Sequence, residues 1–344
     1  MKNKKKAFWQ DPILLLTAIL GVFMAGMILM NLKDAYDMLA NVLPILTTSI
    51  KVLIPLIVVM VACGFMLFGK NPKLQKVGSY LALIIFALIA LYPLSQIITI
   101  SLRPADRLLS TSLSLIPDNA SFENYRKLLW ETPYLTWLFN SLMVSFVVTV
   151  TGVSLASTAG YIISRHKFIG RKWFMEGLLV TQMFPATMLL LPLYIMLIKF
   201  HLINSYIGCI LIYTATALPF CIWQMKGYYD TIPAALEEAA IIDGCTPWQT
   251  FYQVILPLAA PALVITALFS FMTAWNEYIV AAQVLQDVSL FTMPVGLKMF
   301  QGQMQTQWGL YAAGALLVSI PVVVLFLGLS RFLISGLTLG SVKG

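Results

Sequence analysis

The chain has 344 residues, 60% of them hydrophobic and 10% charged, with a mean hydropathy of +0.86. Soluble domains carry about 25% charged and about 45–50% apolar residues, so a soluble fold is excluded and an all-α, multi-pass membrane protein is implied. The net charge of +8 comes from basic clusters near the ends of apolar runs and makes no case for nucleic acid, which needs a basic face on a folded module.

The predicted spans are 13–32, 44–68, 77–100, 137–163, 173–198, 206–225, 254–283 and 309–332. Each is near the roughly 20 residues that a bilayer crossing demands. The first follows MKNKKKAFWQDP with no A-x-A-like cleavage site, and so reads as a retained signal anchor. Lys51 lies in the second span within about a turn or two of its outer end, where its stem can snorkel to the surface. With the N-terminus in the cytoplasm, fourteen Lys and Arg fall on inside segments and seven outside. The clusters KNKKK, KNPKLQK and RHKFIGRK are short and close to span ends, where the positive-inside rule has most force. Both termini are therefore expected in the cytoplasm.

In the fourth span Gly152, Ala156 and Gly160 recur every four residues, a stripe that lets a neighbouring helix come close. Gln182 sits in the fifth span, where a lone amide either ties helices together or lines a path. Cys63, Cys209 and Cys221 fall in spans and Cys245 in a loop, with no metal-ligand or redox spacing among them. With only His166 and His201 present, a histidine metal site or a Ser-His-Asp arrangement has little to be built from. No GxxxxGK[ST] loop occurs, so any ATP must be bound by another chain.

The loop at about 226–257 carries PAALEEAAIIDGCTPWQTFYQVILPL. A helix of about eleven residues is predicted from Pro233, roughly 16 Å long and half of what a crossing needs. Ile232, Ala235, Leu236, Ala239 and Ile242 form one apolar stripe, and Glu237, Glu238 and Asp243 are the polar residues. Pro233 suits the first turn, Glu237 and Glu238 lie near the positive end of the helix dipole, and Gly244 suits a left-handed stop. A second short helix is expected from about Pro247, with Pro257 and Pro261 shaping the return into the membrane. A surface helix this apolar needs something to dock into, and Ala239 and Ala240 are small enough to let a partner approach. The alternative is a helix lying on lipid head groups, although such helices favour Lys and Arg over Glu on the polar face.

Further along, Glu277 in TAWNEYIVAA is a carboxylate within or at the outer end of the seventh span, where a charge costs on the order of 3 kcal/mol. Asn276 and Glu277 are therefore candidates, with Gln182, for a solute path. Trp275 and Tyr278 also suit an interfacial aromatic belt that would place Glu277 among the head groups. The external loop 284–308 is long and amide-rich, with Gln301, Gln303 and Gln305. The tail from Ser335, rich in Gly and Ser, is not expected to hold a stable helix.

EEAAIIDG, followed twelve residues after its glycine by Leu256 and Pro257, resembles the EAA signature of permease subunits in ATP-binding-cassette importers. GYYDTIPAALEEAAIIDGCTPWQTFYQVILPL, ITISLRP near residue 100, QMFPA at 182–186 and the closing GLTLGSVKG look like the second permease subunit of maltose and maltodextrin importers. The resemblance covers about 80–344. It implies an N-terminal extension at 1–76 with two additional spans, a six-span permease core at 77–334 and a cytoplasmic tail at 335–344.

It further implies a coupling helix seated in a cleft of a separate ATPase, with Glu237, Glu238, Ala239, Ala240, Asp243, Gly244 and Pro257 as the coupling residues. The implied partners are a companion permease subunit, an ATPase dimer that holds ATP and Mg, an extracellular or periplasmic solute-binding protein, and membrane lipid. The chain itself would carry no cofactor and no enzymatic activity, and would sit in a bacterial inner membrane. Gln301, Gln303 and Gln305 would contact the binding protein. Related permeases with the same loop move other disaccharides or glycerol phosphates. A remoter alternative, an ion-coupled secondary transporter, would call for internal repeats and paired buried ionisable groups, and the sequence offers neither.

Overall fold

A computed structural model describes residues 72–104, 117, 119–302 and 306–339. The first two expected spans, Lys51, Cys63, Gln303, Gln305 and residues 340–344 lie outside the described residues. Among the described residues the protein is all-α, with one isolated bridge pair, Gln301 and Thr306. The helices are α1 (Pro72–Leu102), α2 (Glu123–Glu131), α3 (Tyr134–Arg165), α4 (Arg171–Met183), α5 (Ala186–Lys199), α6 (Tyr206–Tyr229) and α7 (Ala235–Ile242). They continue with α8 (Pro247–Gln249), α9 (Leu256–Leu258), α10 (Ala260–Trp275), α11 (Ile279–Val284), α12 (Met293–Lys298) and α13 (Trp308–Leu339). A π-helical segment, Thr250–Ile255, joins α8 to α9.

The chain divides into two units, 1–92 and 93–344. In the first, the described part of α1 is apolar and almost wholly exposed. In the second, α3 packs along α6 and α10, α10 also lies against α6 and α13, and α2 covers α13. Val144, Val148, Tyr213, Ala217, Met225 and Tyr229 are buried in that centre. Outward side chains such as Phe146, Leu191, Val324 and Leu327 are apolar and exposed, a surface that suits hydrocarbon and not water.

Among the described residues α1, α3, α6 and α13 are long and apolar enough to cross a bilayer, and two bent pairs bring the number to six. The bends correct two expectations. The run 173–198 is not one helix: α4 and α5 meet at 103°. Pro185 forces the preceding Phe184 into an extended conformation, ψ 128°, and ends α4 there. The run 254–283 is broken as well: Pro247–Leu258 and α10 meet at 79° about Ala259, and α10 stops at Trp275 before α11 starts afresh at Ile279. A third correction concerns the tail, because α13 continues as far as Leu339. A helix already more than twenty residues long has no nucleation cost left, so Ser335 and Gly336 only extend it.

The small-residue stripe of α3 does what its spacing implies. A Cβ on Gly152 would lie 2.9 Å from Ser270 Oγ on α10. On Gly160 it would lie 2.9 Å from Met225 Cβ and 3.0 Å from the Lys226 nitrogen on α6. Gly160→Ala is therefore expected to destabilise detergent-solubilised protein by about 1–3 kcal/mol through overpacking. Gly177→Ala, on α4 with nothing within 4 Å of the new carbon, should be neutral or stabilising by helix propensity. Thermal melting of the two variants checks this, and equal shifts would contradict the close approach.

Candidate functional site: the loop between α6 and α10

The end of α6 is fastened before the loop begins. The Lys226 ammonium pairs with Asp230, and the Ser164 hydroxyl of α3 donates to the same carboxylate at 2.7 Å. Burial pushes the Asp230 carboxyl up, but Lys226 and Ser164 outweigh it and hold the group below its ordinary value. The chain then turns through Thr231 and the buried Ile232, and Pro233 leads into α7.

At its far end α7 stops in a Schellman arrangement. The Cys245 N–H reaches back to the Ala240 carbonyl at 2.9 Å while Gly244 takes φ +89°. Thr246 and Gln249 then form a reciprocal capping box around Pro247, with the Thr246 N–H 2.8 Å from Gln249 Oε1. Two short helices joined by a fixed corner result.

Glu237 and Glu238, one residue and about 100° apart on the helix, face opposite ways. Glu238 is exposed. Glu237 turns inward, where the Arg165 guanidinium of α3 forms an ion pair with it and the Tyr161 hydroxyl donates to it at 2.9 Å. The two charged side chains are only 15% and 14% exposed. Arg165 Nη2 also donates to the Ile232 carbonyl at 2.9 Å, so one guanidinium holds both the lead-in and the helix. Beneath α7, Tyr161 packs at 4.8 Å on Phe251 of the π segment and edge-on to Tyr229.

Ala240 likewise faces inward and is buried, so its small size serves packing within the chain. The outward surface consists of Leu236, Glu238, Ala239, Ile241 and Ile242, extended by Trp248 and Tyr252. Ile242 is 85% exposed. Of the expected stripe only Ile232 is internal. Asp243 is exposed at the start of the corner, and Pro257 is exposed on α9 beyond the π segment. Arg165 and Tyr161 were not legible as site residues, because RHKFIGRK reads equally well as a topology signal and the partner acid lies 72 positions away.

The other candidates lie elsewhere. Gln182 donates to the Thr216 carbonyl of α6 at 3.0 Å and lines a cavity of about 230 Å³ with Phe184 and Pro219. Glu277 accepts from the Val280 and Ala281 N–H groups at 2.9 and 3.0 Å and from the Tyr213 hydroxyl at 3.0 Å. It therefore fastens the first turn of α11 to α6. Tyr213 and Thr216 are one turn apart on α6, so Gln182 and Glu277 are tied to neighbouring levels of one helix. Asn276 and Gln301 come together in a cleft of about 410 Å³ with Trp275, Tyr278, Lys298 and Tyr311. Trp137, Asn140 and Ser141 of α3, which carried no sequence signal, hold the segment 288–293 through the Val288, Ser289 and Phe291 carbonyls and the Met293 N–H.

At Gly244 the positive φ and not crowding is the constraint, since a Cβ there would meet nothing within 4 Å. Gly244→Val should therefore cost about 1–2 kcal/mol and fray the end of α7, while Gly244→Asn keeps most of the stop. Hydrogen exchange at Asp243 and Cys245 reads the difference, and equal protection in both variants would contradict it.

Residues 138–338 match the family described as binding-protein-dependent transport system inner membrane component. The chain is 36% identical over 294 residues to the maltose/maltodextrin transport system permease protein MalG of Photorhabdus laumondii, covering 80% of this chain and 98% of that one. The corresponding proteins of Salmonella typhimurium and Escherichia coli K12 are 37% and 35% identical, over 80% of this chain and 98% and 99% of theirs. A solved bacterial ABC transporter involved in import of the acidic polysaccharide alginate shares the fold, with a TM-score of 0.67 at 24% identity over 77% of this chain and 99% of that one. The chain therefore belongs to the binding-protein-dependent transport system inner membrane component family, as a multi-pass permease subunit of an ATP-binding-cassette importer and not an enzyme.

Proposed function

We propose that this chain forms half of the translocation path for a maltose- or maltodextrin-type oligosaccharide and that its 226–257 loop docks onto a separate cytoplasmic ATPase. The relatives named above supply the solute class. The docking reading rests on one observation, a short helix stopped firmly at its far end whose outward face is apolar and carries the exposed carboxylate of Glu238, with Asp243 exposed at its end. Leu236, Ala239, Ile242 and Trp248 supply the surface that a cleft would bury, Asp243 and Gly244 begin the corner, and Pro257 shapes the return toward α10.

In this reading both termini are cytoplasmic, 1–76 is an extension, 77–334 the permease core and 335–344 a tail. ATP and Mg are held by the ATPase. A companion permease completes the path, a solute-binding protein delivers the sugar from outside, and lipid covers the apolar flanks. Gln182 belongs to the path. At the end of α10 away from the loop, Asn276 and Gln301 face the solute or the binding protein from their shared cleft, with Gln303 and Gln305 continuing that contact. Glu277 holds the cleft in place from behind.

The test uses the assembled importer in a Cys245→Ser background. Cysteines introduced at Ala239 and Ile242 should crosslink to the ATPase. Glu238→Lys should lower maltotriose uptake by about tenfold or more, in keeping with a lost charged interface contact. Absence of any crosslink, or full uptake by Glu238→Lys, would refute the docking reading, and uptake insensitive to excess maltodextrin would refute the solute.

A further inference from the structure

We propose that Arg165, Glu237 and Tyr161 are positioning residues for coupling: they form the joint through which displacement of α7 is passed to α3 and thence to the membrane-spanning bundle. This rests on the docking reading above and adds the route by which force leaves the docked helix. α7 is eight residues long and its outward face is exposed among the described residues. Its hold on the rest of the molecule is on the inner side, through Ala240 over the π segment and through Glu237.

Glu237 is the polar part of that hold. One carboxylate oxygen is taken by Arg165 and the other by Tyr161, a turn earlier on the same face of α3. The second arm of Arg165 closes on the Ile232 carbonyl, so the lead-in to α7 cannot hinge away from α3 without stranding a donor. Separating the pair would leave a largely desolvated charge on each side, which is strongly unfavourable. The joint therefore stays closed as α7 moves, and α3, a continuous helix of 32 residues packed along α6 and α10, moves with it. A merely structural role would stabilise the loop without altering how much solute each ATP moves.

The experiment uses the complete importer in proteoliposomes with Glu237→Gln, Arg165→Gln, both together, and Tyr161→Phe. Three readouts are taken: ATPase subunit retained on purification, binding-protein-stimulated ATP hydrolysis, and maltotriose moved per ATP. Each single charge variant should keep the ATPase subunit bound yet move about tenfold less solute per ATP, within the range that a coupling free energy between sites ordinarily covers. The double variant should lose no more than the worse single one, because the two residues act as a unit.

Tyr161→Phe, which leaves the ion pair in place, should lose about two- to threefold in the same ratio, as expected for one hydrogen bond to a charged group partly compensated by its neighbours. An unchanged ratio in either single charge variant, release of the ATPase subunit by Glu237→Gln, or losses that multiply in the double variant would overturn the joint. Should the charge variants fail to accumulate in the membrane, an unchanged ratio in Tyr161→Phe overturns it alone. Failure of the docking reading looks different, because the ATPase would then not copurify even with the unaltered chain.

Discussion

In a chain this apolar the backbone can leave the helix within the membrane only where something else takes up its hydrogen bonds. The interruptions of the second unit follow that constraint. Where α10 ends, the Glu277 carboxylate takes the Val280 and Ala281 N–H groups in the first turn of α11. Between α5 and α6, Asn204 adopts a positive φ and its side-chain oxygen accepts the Gln286 and Asp287 N–H groups at 2.9 and 3.1 Å. Its own N–H meets the Val284 carbonyl at 2.8 Å. Trp137, Asn140 and Ser141 do the same work for the segment 288–293 from one face of α3. Glu277, a candidate for the solute path, is thus one of the polar side chains that permit a non-helical turn.

The same scarcity of water governs how the helices meet. Lipid tails are as apolar as leucine, so helices in a bilayer gain nothing by merely hiding oily surface from one another. They gain from close contact, and α3 makes it through Gly152 against Ser270 and Gly160 against Met225. Buried hydroxyls follow the same rule, with Thr151 meeting Thr214 at 3.2 Å and Thr266 returning its proton to the Ala262 carbonyl at 2.8 Å. Gly296 shows how tight the fit becomes outside the core of spans: a Cβ there would fall 2.2 Å from the Trp137 ring. Close packing of this kind ties α3, α6 and α10 together along their lengths.

Legibility in the sequence tracked the range of the forces involved. Helix-length apolar runs, the stripe on α3, the left-handed stop at Gly244 and the corner after it depend on residues within a few positions of one another, and each was readable. The break at Phe184–Pro185 is equally local, yet a hydropathy window averages over it and sees one continuous run. The end of α10 was unreadable for another reason: Glu277 identifies itself as a charge in an apolar stretch, but that its partners are two N–H groups and Tyr213, 64 positions away, depends on the fold. Arg165 shows the same limit, since its basic cluster spoke only to membrane orientation and left its partner open.

The adjacent carboxylates of the loop bring these strands together. Successive residues on a helix point about 100° apart, so a Glu–Glu pair at the edge of the buried face of a helix can send one acid in and one out, as Glu237 and Glu238 do. The inner one requires a cation with further acceptors in reach, which Arg165 finds at Glu237 and the Ile232 carbonyl. Apolar residues at both Glu237 and Arg165 would pack about as stably, because a buried ion pair gains little net free energy over a well-shaped hydrophobic contact. What apolar packing lacks is direction: it tolerates sliding and rotation by a few ångströms at small cost, while a carboxylate bonded on both oxygens tolerates neither. A helix required to deliver displacement to a neighbour has use for that directional hold, and it leaves the second acid free to be recognised.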